Sequence, residues 1–241
     1  MLARYHKQIT INALGTRLST RALQTIVKAN LGQDNLPGLI LHPEFHFDNS
    51  LFDEGNAHLI KQRQLVMHAL EEEDAHSAWI AFGRMTHALQ DFYAHSNYVE
   101  LWVEQHERDG FSLDAGQDSG LSKKRSAIFS NIEQDDFLPS IPFEQIDPLD
   151  LNVLNSPALR SGRVYYLREA MSYIPGLHSL ARRLSPTDSH AHMNLDGPDR
   201  GALFSYAVVA AAKRAVYEFD DLKSSIAIEL GQDGLERFID I

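Results

Sequence analysis

Residues 87–102 read HALQDFYAHSNYVELW, and this stretch decides both the fold class and the kind of site the chain can build. His87, Asp91 and His95 recur at intervals of four, within a helical apolar pattern that starts upstream with Trp79, Phe82, Met85 and Leu89. Each step of four advances a helix by ~400°, or ~40° net, so the three polar side chains fall within an arc of roughly 80°. Two imidazoles and a carboxylate on one helical face suit metal ligation better than core packing. A second pair with the same spacing, His192 and Asp196, stands late in the chain. Two HxxxD pairs, with further histidines upstream, point to a site for several metal ions.

Outward from this stretch, most of the chain has helical punctuation. A helix is expected over Thr10 to Asn30 with one break near Gly15, and a loop over Leu31 to Asn56, where Gly32, Pro37, Gly38 and Pro43 fall. Further helices are expected from about Ala57 to Glu73 and, as one unit, from about Ser77 to Glu107. Asp109 to Asp150 is irregular, with a short helical candidate at Lys123 to Ile132, and reads as a lid or surface-docking segment. Ser156 followed by Pro157 is an N-cap signal for a helix toward Ile174, and a last helix is expected from near Pro198 to about Ile228. Strand-like alternation is scarce. The expected fold is all-α, a single multi-helix domain over 1–241 with an irregular insertion at about 109–155.

The 241 residues, 44% hydrophobic and 23% charged, suit one domain with a sizeable core. The absence of cysteine excludes disulfides and thiolate zinc sites, leaving imidazole and carboxylate as metal ligands. A net charge of −11 without a basic stripe argues against nucleic acid as a partner. The start, MLARYHKQIT, lacks the apolar stretch of a signal peptide, and no apolar run approaches the ~18 residues of a membrane span. The expectation is a soluble protein, cytoplasmic or exported without a cleaved leader.

The candidate ligands outside the central motif are His6, Asp48, His58, His192 and Asp196. His42 and His46 are rivals for the upstream positions, and His190 is a rival for His192. His192 is preferred because its spacing of four brings it onto the helical face of Asp196. Phe92, Tyr93, Tyr98 and Trp102 read as core or pocket wall. Asn97 and Glu100 are candidates for orienting the imidazoles. Solitary histidines such as His68 and His106 read as surface or satisfied side chains.

HALQDFYAHSNYVELW resembles the signature of the HET-C family, named for fungal heterokaryon-incompatibility proteins, which is similar in turn to all-helical, zinc-dependent phospholipases C and single-strand nucleases. The resemblance covers residues 6–102 and about 185–215. It implies two to three zinc ions: a first held by Asp48, His58, His87 and Asp91, a second by His95, His192 and Asp196, and a third by His6 with Asp91 bridging. The secreted enzymes complete the third site with a mature N-terminal Trp, whereas here Met1 stands five residues before His6. The implied function is a zinc-dependent phosphodiester hydrolase of phospholipase C type, with Asp48 assisting as base. It would act peripherally on phospholipid membrane surfaces as a cell-death or antagonistic toxin, with homo-oligomerisation as a further expectation. The alternatives are a single-strand nuclease on the same metal frame, or a non-enzymatic, metal-stapled recognition and assembly domain.

Overall fold

The computed structural model describes residues 1–35, 38, 41–112, 139–165 and 184–240. The helical candidate at 123–132 and the far part of the helix expected toward Ile174 lie outside the described residues. The fold is all-α. The helices are α1 (Ala3–Leu14), α2 (Thr20–Leu31), α3 (Phe52–Glu71), α4 (Ala75–His95) and α5 (Tyr98–Ser112). The single turns α6 (Leu151–Leu154) and α7 (His190–Met193) follow, then the long α8 (Leu203–Ile239). Among the described residues, strand-like pairing is confined to isolated bridges, Ser96 with Ser161 and Arg163 with Ser189.

Local chemistry sets the helix ends. The break expected near Gly15 separates α1 from α2, and the Ser19 hydroxyl recaps the chain by accepting the Ala22 N–H at 3.1 Å. Asp74 starts α4 by accepting the Ser77 N–H at 3.0 Å. The single helix expected from Ser77 to Glu107 is instead two. Ser96 has extended backbone angles, and its hydroxyl donates to the Phe92 carbonyl at 2.5 Å. That local bond competes with the helical ladder and lets residue 96 pair with Ser161.

Two further expectations need correction. Among the described residues no helix follows Ser156: its hydroxyl accepts the Ala158 N–H at 3.2 Å, and the chain then runs without helix through residue 165. The last helix starts at Leu203 and continues past Ile228, because Gly231 absorbs a sharp kink at φ 70°, ψ −165°, a conformation open almost only to glycine.

Helix α4 is the axis of the molecule, packed by α2, α3 and α8, and every residue from Thr86 to His95 is buried. Around its first half lies one apolar cluster that includes Ile26, Leu70, Trp79, Phe82, Phe219 and Phe238. Around its second half lies another, with Phe92, Tyr93, Tyr98, Trp102, Tyr206 and Ala210. These aromatic positions are core, as the sequence pattern suggests. The second cluster also anchors part of the expected irregular insertion: Ile146 is fully buried, and Tyr93 and Tyr98 donate to the carbonyls of Pro148 and Asp147, each at 2.6 Å. None of the described helices is long and apolar enough to cross a membrane.

Gly83 lets α2 approach α4 closely, since an added Cβ would overlap the Ile26 carbonyl and the Ala29 methyl. Alanine would gain ~1 kcal/mol in helix propensity, but overpacking costs ~1–3 kcal/mol. Gly83→Ala is therefore expected to lower the urea midpoint; a raised midpoint would contradict this packing.

Candidate metal centre

One face of α4 presents His87, Asp91 and His95, all buried among elements drawn from distant parts of the chain. Asp91 is the hub. Its Oδ1 lies 3.1 Å from His6 Nε2 and 3.6 Å from His95 Nε2. Its Oδ2 lies 2.8 Å from His46 Nδ1 and 3.0 Å from His87 Nε2. The Met1 amino group also enters, 2.6 Å from Asp91 Oδ1 and 3.0 Å from Asp196 Oδ1. Four imidazoles thus converge on one carboxylate with no solvent exposure.

The charges are tightly coupled. Burial alone would raise Asp91, but the Met1 amine, His95, His87 and His6 outweigh it and hold the carboxyl well below the usual range. Burial opposes protonation of His95, yet Asp91 and Asp48 raise it well above the ordinary imidazole value. Burial, only partly opposed by Asp91, pushes His87 down to about 4. The same carboxylate thus raises one imidazole of α4, His95, while burial depresses the other, His87.

A second group forms at the end of α4, where Asp48, His95 and His190 bring ligand atoms within 4.8 Å of one another. Asp196 joins its edge, with Oδ1 3.2 Å from His95 Nε2. The loop that carries His46 and Asp48 is unusual: Phe47, Asn49 and Ser50 all have positive φ. Such backbone persists only when its surroundings over-determine it. Here residues 161–164 do so, with the Asn49 N–H donating to Gly162 O at 2.9 Å and Ser50 N–H to Ser161 Oγ at 2.8 Å. Gly162 also admits His190, since a Cβ there would overlap the His190 backbone.

His6, Asp48, His87, Asp91, His95 and Asp196 therefore meet, but the grouping differs from the one implied by resemblance. His6, Asp34, His87 and Asp91 form one set of potential ligands, and Asp48 belongs with His95 and His190 instead. His192 turns away, its Nε2 3.1 Å from the Ser185 carbonyl. Because α7 is only one turn and ends at Met193, the spacing of four to Asp196 does not lie on a continuous helix, and His190 takes the inward position. His58 is in neither group; its ring packs on Phe45 beside a cavity of about 410 Å³ also lined by His42, Lys61 and Arg84. The Asn97 amide directs its hydrogen bonds away from the imidazoles. It clamps the neighbouring segment, donating to Ala158 O and accepting from the Arg160 N–H.

The sequence reading missed Asp34, whose carboxylate lies 3.6 Å from His87 Nε2. No spacing signals it, because only the packing of α2 on α4 brings that turn to the site. The donor set fits zinc: imidazole nitrogens and carboxylate oxygens, without sulfur, in two adjacent groups. Buried ring nitrogens His6 Nε2, His46 Nε2 and His87 Nδ1 also lack hydrogen-bond partners among the described residues.

Residues 5–130 match the VWA7 N-terminal domain family. The chain belongs to that family. The von Willebrand factor A domain-containing protein 7 of Homo sapiens is 39% identical over 84 residues, which is 35% of this chain and 9% of that protein. The Mus musculus protein of the same name is 37% identical over 84 residues, and that of Rattus norvegicus 35% over 97. The match to these curated VWA7 relatives spans about a tenth of their length or less. No solved structure matches.

Membership of the VWA7 N-terminal domain family overturns the HET-C assignment, and with it the reading as a phospholipase C-like hydrolase and cell-death toxin. The physical reason for the error is plain: HxxxDxxxH specifies two imidazoles and a carboxylate on one helical face, and that geometry carries no information on family or substrate.

Burial, partly opposed by Glu44, lowers His58 from 6.5 to about 4. Below pH 6.5 the unfolded chain takes up a proton that the folded ring refuses until about 4, so this contribution to stability is full above that window and lost as pH falls through it. His58→Gln should therefore flatten the loss of unfolding free energy between pH 7 and 4.5, measured by urea titration. An unchanged slope would contradict the assignment.

Proposed function

We propose that this VWA7-type domain is a divalent-metal-binding module, with zinc as the resident ion at two neighbouring positions. His6, Asp34, His87 and Asp91 would hold one ion, and Asp48, His95 and His190 the other. The observation that supports this best is four imidazoles around the fully buried Asp91, with His46 adjoining both His87 and Asp91. Desolvated charges and unpaired ring nitrogens each cost free energy, and divalent cations would offset both. When bound, the ions would supply concentrated positive charge that cross-links α1, α4, the 43–50 loop and the α7 turn. A second reading, in which the ions also activate a bound water, is favoured by the partial opening of the site at Asp34 and Asp196, whose side chains are 28% and 25% exposed.

The test is elemental analysis joined to thermal unfolding. The account expects about two zinc ions per chain. At free zinc of ~100 times Kd, each ion would add ~2.7 kcal/mol, so removing both by chelation should lower Tm by roughly 10–20 °C. Asp91→Asn should release more metal than His190→Ala, since Asp91 contacts more of the cluster. A folded chain that takes up no divalent ion under any loading condition would overturn the proposal.

A further inference from the structure

Below the cluster runs a chain of buried polar groups for which metal ligation alone has no use. Gln90, Asn30, Thr10 and Thr86 are all fully buried, on three different helices. The Thr10 hydroxyl donates to the His6 carbonyl at 2.8 Å. Its single proton is thereby committed, so toward Gln90 it accepts, and the Gln90 amide group at 3.0 Å must be the NH2. The Thr86 hydroxyl is likewise committed to the Gly83 carbonyl at 2.8 Å. It accepts from the Asn30 amide at 3.1 Å, and the same Asn30 NH2 donates to Gln90 Oε1 at 3.1 Å. Two independent routes therefore fix the same orientation of the Gln90 amide, with Oε1 facing His6 Nδ1 at 2.6 Å.

An amide oxygen accepts and never donates, so His6 must carry its proton on Nδ1. We infer that Gln90 is a positioning residue for His6: it locks the proton on Nδ1 and so reserves Nε2, 3.1 Å from Asp91 Oδ1, as the one ring nitrogen whose lone pair can take a metal ion. This inference rests on the metal-binding reading for its purpose, but not for its geometry. It also explains why Asn30, Thr10 and Thr86 are polar in an otherwise apolar contact between helices. They fix the amide, the amide fixes the imidazole, and the imidazole presents one lone pair to the cluster.

The experiment is long-range 1H–15N correlation of the histidine rings in the full chain, before and after zinc loading. The expected spectrum shows His6 Nδ1 protonated in both states and Nε2 as the metal-bound nitrogen once zinc is present. Gln90→Met should abolish the Nδ1 preference and lower zinc affinity ~10–100-fold, whereas Gln90→Glu, which keeps an acceptor oxygen, should restore the Nδ1–H signal. If Gln90→Met does not fold, Thr10→Val removes one route that orients the amide and should weaken the Nδ1 preference. An unprotonated or metal-bound Nδ1 in the wild type would overturn the inference. Protonated Nδ1 in a chain that binds no zinc would instead sink the metal reading and leave the positioning role standing.

Discussion

A carboxylate with no access to water is the constraint on which the rest of this structure depends. Asp91 sits near the C-terminal end of α4, in the stretch from Met85 to His95 where every residue is buried, and an isolated charge there would cost several kcal/mol. The fold meets that cost by drawing cationic or cation-binding groups to it from α1, the 43–50 loop, α4 itself and the segment before α8. Each recruit imposes a local demand. His46 and Asp48 require a loop with three positive-φ residues outside glycine, and His190 requires a backbone approach that Gly162 alone permits.

Those demands explain the asymmetry between the two halves of α4. Its first half is an ordinary helix in an apolar sleeve, where Trp79, Phe82 and Met85 pack against α2, α3 and α8. Its second half carries one polar face and one aromatic face, and the aromatic face, where Phe92 and Tyr93 pack on Tyr98 of α5, gives rigid backing to the polar one. Dry, well-packed walls on that side leave the ligand face as the direction in which charge can be balanced. The metal proposal and the Gln90 proposal both follow from this division, because a rigid wall can hold an imidazole to one nitrogen and one direction.

Much of this was legible in the sequence, for identifiable reasons. The all-α class and the central face of His87, Asp91 and His95 follow from a period of four inside an apolar pattern, which needs no tertiary information. The Ser96 break was hidden, since a single hydroxyl bonded to the Phe92 carbonyl decides it and serine alone does not predict that choice. His190 was passed over for His192 because spacing counts only along a continuous helix, and the chain leaves helix after Met193. Asp34 and Gln90 gave no signal as site residues. Their roles come from how α2 crosses α4, a property of packing rather than of any local pattern. The family was misread for a related reason: the motif encodes ligand geometry, while the family match draws on all of residues 5–130.

The central claim is that the charge of Asp91 is balanced by metal ions rather than by protons alone. Anomalous diffraction from crystals grown with zinc, recorded on both sides of the zinc absorption edge, tests it most directly. The account predicts two neighbouring anomalous peaks: one at ~2.0–2.2 Å from Asp91 and His6 Nε2, the other at similar distances from Asp48, His95 and His190. A well-ordered map without anomalous density at the cluster, with Asp91 hydrogen-bonded directly to its histidines, would contradict it.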